Sequence, residues 1–342
     1  MSTTPLRILG APGSPYSRKL RAVLRYRRIP HTWKTVRGPG DPDIPKVPVH
    51  LMPILVFPGE EGGEDRAAID TSPLIRELEG RYEGRSVVPT DPVLAFLDAL
   101  IEDYGDEWVT KMMFHYRWSY APDIEKAGAL LPRWGHIDVP DSKIAPMSKM
   151  ICERQIERLW VVGSNETTGP VIEASYRRFL RLLDARLTEQ PYVLGQRPAS
   201  ADFALFGQLT QLVLVDPTPA AIALEESPRV CAWVEVTEDL SGIAAEEEGW
   251  IRRDDVPETL RALLTEIGRG YVPFMLANAA ALTSGAEKVE CEVDGQRWVQ
   301  KPFPYQGKCL GWLREHFASL SDQDRRAALD ILEGTGCEAL VA

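Results

Sequence analysis

Two serines, Ser14 and Ser17, bracket Pro15-Tyr16 directly after a short apolar run, Leu6-Arg7-Ile8-Leu9, and a Gly-Ala-Pro-Gly turn. The spacing that follows, with Tyr16, Leu20, Val23 and Leu24 on one face, predicts a helix over 15–28. Ser14 therefore falls at a helix N-terminus, where unpaired backbone N–H groups and the helix dipole favour negative charge. A hydroxyl there can donate a hydrogen bond to an anion but has no part in redox exchange. The plainer alternative is a helix cap followed by proline, a common helix start. Ser17, one turn along, is the second candidate donor. Farther on, Asp70-Thr71-Ser72 stands before Pro73. It reads both as a capped helix start and as an anion-binding N-terminus. Trp108, Met112, Met113, Tyr116 and Trp118 crowd the end of a long helical pattern. They suit either varied hydrophobic ligands or an ordinary core.

Composition narrows what these groups can serve. The chain has 342 residues, enough for two or three domains, with 44% apolar and 26% charged residues. A net charge of −11 disfavours nucleic acid and anionic membranes as partners. No apolar run approaches the roughly 18 residues of a membrane span. The start, Met-Ser-Thr-Thr-Pro, has no basic or apolar stretch, so no signal peptide is expected. Five scattered cysteines without CxxC spacing suggest reduced thiols and a cytoplasmic location, not a disulfide frame. The histidines lack metal-ligand spacing, and no metal is expected. Arg18, Lys19, Arg21, Arg25, Arg27 and Arg28 make the first helix basic, mostly as a solvated face, and Glu246-Glu247-Glu248 reads as a solvated run.

Three segments must position these residues. In the first, 1–88, strands are predicted at Leu6–Leu9, Thr32–Val36, Ile54–Phe57 and Arg66–Asp70, with a second helix at Ser72–Tyr82. A Pro- and Gly-rich loop fills 37–48, and a hairpin loop over 58–65 holds Gly59, Gly62 and Gly63. The order is β-α-β-(α)-β-β-α, an open mixed sheet with helices. The second, 90–250, begins with Asp91 as cap and Pro92 in the first turn. Further helical patterns lie near 147–161, 170–188, 200–214 and 228–240, with a long insertion at 120–146. The third, 251–342, shows helices at Pro257–Ile267 and Val272–Leu282 and a hairpin about Asp294-Gly295 with Trp298 opposite Cys291. Two helices close it, the last capped by Ser321 with Asp324 three residues on.

Ser14-Pro15-Tyr16-Ser17 has the layout of a glutaredoxin Cys-Pro-Tyr-Cys turn with both sulfurs replaced by hydroxyls. With Arg18-Lys19 it resembles the Ser-Pro-Phe turn of the plant tau class of glutathione transferases. Three further stretches are similar to that superfamily, in the same order. Met52-Pro53-Ile54-Leu55 resembles the turn where a cis-proline precedes the third strand. Asp70-Thr71-Ser72 resembles the Glu-Ser pair that holds the γ-glutamyl end of glutathione, with Asp70 one methylene shorter than the Glu. Ala199-Ser200-Ala201-Asp202 resembles the Ser-x-x-Asp cap of a core helix. Here Ala199 lacks the capping hydroxyl; Asp202 can still reach a backbone N–H, and Ser200 can take over by a shifted start. Pro48 also resembles the proline motif, but a strand after it would contain Pro53 and lose a ladder donor, so Pro53 is preferred. The likeness spans roughly the first 240 residues, and the remainder resembles a C-terminal extension of a bacterial transferase-like branch.

The resemblance implies an α/β thioredoxin-like N-terminal domain, an all-α C-terminal domain and an extra α+β extension. It implies glutathione as cosubstrate and a homodimer. Ser14, backed by Ser17, would donate to the glutathione sulfur. Met52 and Pro53 would meet the cysteinyl unit; Asp70, Thr71 and Ser72 would hold the γ-glutamyl end. Tyr16, Trp108, Met112 and Tyr116 would face a small hydrophobic electrophile. The function implied is conjugation of the glutathione thiolate to that electrophile. The alternative is a non-catalytic transferase-like binding or scaffold protein. A thiol oxidoreductase is a third reading, disfavoured because no cysteine lies near the first helix. The extension is expected to pack on the helical domain, or else to cover the cleft mouth.

Overall fold

Strand β1 (Leu6–Gly10) is buried at every position but Arg7, as its apolar lettering requires. The computed structural model describes residues 4–37, 41, 43–59, 63–244 and 249–342. Gly62 and the run Glu246-Glu247-Glu248 lie outside the described residues. β2 (His31–Thr35) lies parallel to β1, with Leu6 opposite His31 and Gly10 opposite Thr35. β3 (Ile54–Phe57), buried throughout, runs antiparallel to β1 with Ile54 opposite Leu9. β4 (Arg66–Ala68) is antiparallel to β3, completing the order β2-β1-β3-β4. The fourth strand stops two residues short of the expected Asp70, because the chain turns there at φ +79. Residues 43–53 hold no helix, so the optional element between β2 and β3 is not formed there.

The register decides where the first domain does its work. Leu9 pairs with Ile54 and Leu55 with Ala68. Hence the chain leaves β1 toward Ser14, enters β3 from Pro53 and leaves β4 toward Asp70 at one and the same end of the sheet. Helices α1 (Pro15–Tyr26) and α2 (Thr71–Arg81) cover the sheet with Leu20, Val23, Leu24, Leu74, Ile75 and Leu78, all buried in one core with Ile8 and Leu55.

In the helical part, α3 (Pro92–Tyr104) is capped as expected: Asp91 Oδ1 accepts from the N–H groups of Val93 at 2.9 Å and Leu94 at 3.1 Å. It continues through a wide π turn, Gly105–Val109, into α4 (Thr110–Ser119). The insertion is itself helical, as α5 (Ala121–Trp134) and the first turns of α6 (Asp141–Ile156), whose remainder meets the pattern expected from 147. Pro132 and Pro146, inside those helices, hide them from a reading by spacing. Next come α7 (Gly169–Glu189), α8 (Ser200–Leu209), α9 (Pro217–Glu226) and α10 (Pro228–Thr237). Every residue of α8 is buried. Its Gly207 lets α1 approach, since a Cβ there would lie 2.6 Å from the carbonyl oxygen of Pro15. Asp202 accepts from Ala199 N–H at 2.9 Å, closing the helix start without a capping hydroxyl. Ser200 does not take over the cap; its hydroxyl donates to Asp98 Oδ2 at 2.6 Å.

The last segment opens with α11 (Glu258–Ser284), one helix of 27 residues where two were expected. Pro273 removes an internal hydrogen bond, at about 3 kcal/mol. Burial of its neighbours Tyr271, Val272, Phe274 and Met275 outweighs that loss. β5 (Val289–Val293) and β6 (Gln296–Gln300) form the expected hairpin, Cys291 opposite Trp298, turning on Asp294 and Gly295 at φ 53 and 72. α12 (Pro304–Ser319) and α13 (Asp322–Leu332) follow, and Ser321 caps α13 by accepting from Asp324 N–H at 3.1 Å. α11 packs on α7, while α12 and α13 pack on α3. Trp298 is fully buried 5.4 Å from the Trp108 ring, so the last segment shares the core of the helical part.

Candidate functional site

At the shared end of the sheet, Ser14 is the N-cap of α1, half-buried and extended, and its Oγ accepts from Ser17 N–H at 3.2 Å. The hydroxyl proton of Ser14 has no acceptor among the described residues, which leaves it one hydrogen bond to give. Ser17 is different. It is fully buried against Gly10, and its Oγ accepts from Ala11 N–H at 3.3 Å. It holds the turn in shape and offers nothing to a ligand, which corrects its expected role as second donor. Tyr16 is also committed: its hydroxyl donates to the Asp106 carbonyl at 2.8 Å and is within hydrogen-bond distance of the Thr110 hydroxyl at 3.3 Å. It ties α1 to the π turn instead of lining a cleft.

The Met52–Pro53 peptide is cis. Pro53 is buried and Met52 exposed, and the Met52 backbone groups make no hydrogen bond among the described residues. Asp70, held at φ +79, does not cap its own helix. Its Oδ2 instead accepts from the hydroxyl of Tyr305, on α12, at 2.8 Å. Thr71 is buried as the first residue of α2. Ser72 donates to Asp106 Oδ2 at 3.3 Å and accepts from Lys19 Nζ at 3.2 Å.

Behind these residues lies a buried charge cluster. Lys19 donates to Glu102 Oε1 at 2.6 Å and Asp106 Oδ2 at 2.5 Å. Burial alone would lower its pKa, but Asp106 and Glu102 outweigh that and hold it above the ordinary lysine value. Asp106 is pushed up by burial to about 6, against the pull of Lys19, and its Oδ1 has no partner among the described residues. Burial also raises Asp103 to about 7 and, with repulsion from Asp103 and Asp106, Glu107 to about 8. These carboxyls, Ser72, Tyr305 and Cys309 line a cavity of about 20 Å³. The Cys309 thiol is pushed up by burial and by Asp103 and Glu107, so it stays protonated. An open groove of about 630 Å³ continues outward past Pro73, Arg76, Glu102 and Trp312. Most of the first helix's basic residues are not simply solvated: Lys19 and Arg27 are buried, and Arg18 and Arg25 pair with Glu238.

A family model for the glutathione S-transferase N-terminal domain matches residues 8–86, and one for the C-terminal domain matches residues 154–235. The chain belongs to the glutathione transferase superfamily. Solved structures similar to it include a glutathione S-transferase from Methylobacterium radiotolerans in complex with glutathione sulfonate, 17% identical, covering 71% of this chain and 99% of that one with a TM-score of 0.38. A glutathione transferase from Burkholderia graminis, with two glutathione molecules bound per subunit, is 13% identical over 68% of this chain and 82% of that one, TM-score 0.38. FzlA from C. crescentus is 14% identical over 76% and 92%, TM-score 0.41. No curated protein matches the sequence.

In this transferase-family chain, three residues expected to face an electrophile are walled into the core. Trp108 is 1% exposed, donates its indole N–H to Ser175 Oγ at 3.1 Å and packs on Trp298. Met112 and Tyr116 have no exposed surface, and Tyr116 stacks on Tyr120. The aromatic group beside Ser14 is instead Trp134, at the end of α5. A Cβ on Gly13 would fall 2.2 Å from its ring. Arg117 Nη1 donates to the Gly13 carbonyl at 3.1 Å, fixing the same turn. Nothing in the sequence marks Trp134, Tyr305 or Cys309. Glu102, Asp103, Asp106 and Glu107 did carry a signal: with Asp98 they put five carboxylates inside an otherwise largely apolar helical run.

Proposed function

We propose that this chain is a glutathione transferase that joins the thiolate of glutathione to a hydrophobic electrophile. The uncommitted hydroxyl of Ser14 at the N-terminus of α1 carries the reading. A cysteine-type thiol has a pKa of about 8.5 and is mostly protonated at neutral pH. A donated hydrogen bond and the helix dipole, together about 2.7 kcal/mol, lower that pKa by about two pH units. The sulfur then attacks, and Ser14 stabilises charge without forming a bond. In the same reading, the Met52 backbone at the cis peptide pairs with the cysteinyl unit, and Asp70, Thr71 and Ser72 receive the γ-glutamyl end. Trp134 walls the electrophile side. A homodimer and a cytoplasmic location belong to this reading; no helix among the described residues is long and apolar enough to cross a membrane.

The test is calorimetric titration with glutathione, followed by conjugation to an activated aryl halide with wild type and Ser14→Ala. Binding together with a large loss of rate in the variant supports the reading; no binding at millimolar glutathione sinks it. One observation favours a second reading, a non-catalytic binding or scaffold protein: Asp70 is already engaged by Tyr305. Glutathione bound tightly with no conjugation in either protein would select that alternative.

A further inference from the structure

Tyr305 reaches Asp70 across 235 positions of sequence to make a hydrogen bond of 2.8 Å. Its helix, α12, belongs to the last segment, beyond both family-matched stretches. α12 brings a second group to the same place, since Lys308 acts on the Asp70 carboxyl together with Lys19. Burial raises that carboxyl's pKa, while the Tyr305 bond and the two lysines pull it down. Asp70 thus presents a partly desolvated oxygen that already has a donor and positive charge beside it. The cavity on the far side of Tyr305, lined by Ser72 and Tyr305 but not by Asp70, has about 20 Å³, space for about one water molecule. A ligand ammonium that takes the same Asp70 oxygen must replace the Tyr305 hydroxyl.

We propose that Tyr305 is a specificity-determining residue, which competes with the amino group of a γ-glutamyl ligand for Asp70 and so weakens selection for that end. This rests on the reading of the site as a glutathione site. The last segment then sets which thiol peptides the first domain holds: those with a γ-glutamyl ammonium pay for displacing a hydroxyl, and those without it do not.

The test is calorimetry on the full-length protein with glutathione and with cysteinylglycine, which lacks the γ-glutamyl unit. Wild type, Tyr305→Phe, Asp70→Asn and the double variant are compared. Removing one hydroxyl that competes for a charged acceptor should tighten glutathione binding about five- to tenfold. Cysteinylglycine binding should not change, and the gain should vanish in the Asp70→Asn background. Thermal unfolding verifies that each variant is folded, and Tyr305→Leu, which also removes the hydroxyl, carries the comparison if Tyr305→Phe is not. Unchanged or weakened glutathione binding in Tyr305→Phe overturns the proposal while leaving the glutathione site intact. An equal shift for both peptides overturns it too, since Tyr305 would then act by general packing. No glutathione binding in any of the four proteins overturns the site reading and the proposal together.

Discussion

Lys19 on α1 donates to Asp106, in the π turn after α3, at 2.5 Å, and the same ammonium reaches Glu102. The pair is buried at the seam between the sheet domain and the helices, where an uncompensated charge is costly. Removing the lysine leaves two carboxylates facing each other with only the half-exposed Arg76, 3.9 Å from Glu102, as counter-charge. Lys19→Met should therefore lower stability by about 3–5 kcal/mol, read from chemical denaturation. A loss below about 1 kcal/mol would show that the cluster does not hold the seam.

Ser14 and Ser17 should separate cleanly by experiment. Ser17→Ala removes the acceptor for Ala11 N–H and should cost about 1 kcal/mol of stability. It should leave the pKa of the bound thiol unchanged. Ser14→Ala should raise that pKa by about one pH unit, since the helix dipole remains, measured from thiolate absorbance of the complex against pH. Equal effects of the two variants on the thiol would contradict the assigned roles.

Trp134 and Trp108 should likewise part company. Trp134→Ala should raise the KM for a hydrophobic electrophile several-fold with little loss of stability, because the ring lies at the mouth of the turn beside Ser14. Trp108→Ala should cost about 3–5 kcal/mol through the cavity it leaves. Steady-state kinetics and thermal unfolding on both variants decide this; electrophile kinetics that respond only to Trp108→Ala would overturn the placement.

The buried carboxyls predict how stability varies with pH. Asp103, at about 7, and Glu107, at about 8, hold protons in the folded protein that the unfolded chain releases near pH 4. Their contribution is complete below about pH 4 and is lost as pH rises through 7 to 8. Stability should fall across that window, and Glu107→Gln should flatten the upper part of the fall. Lys111, lowered by burial to about 7, acts in the opposite sense above that pH. Unfolding midpoints of wild type and Glu107→Gln from pH 5 to 8.5 test this; superimposable curves would refute it.

What could be read ahead was local. The apolar strands, the Asp91 cap, the Asp294-Gly295 turn and the choice of Pro53 over Pro48 each depend on a few neighbouring residues. The misplacement of Trp108, Met112 and Tyr116 has a geometric cause. Their spacing marks one face of a regular helix, but the π turn at Gly105–Val109 inserts a residue and swings that face by about 100°. Asp70 and Tyr305 could not be linked beforehand, because no local rule relates a helix start to a tyrosine in another segment. The break expected near Pro273 failed because tertiary burial on both sides of the proline outweighed one lost backbone bond.

Trp298 lies against Trp108, and α11 to α13 sit on helices α3 and α7. The closing quarter of the polypeptide is therefore no detachable appendage. Trimming the chain back toward a typical transferase length would strip aliphatic side chains of their shelter and leave a sticky fragment. A shorter relative of this molecule would have to rewrite the outward faces of those helices at the same time.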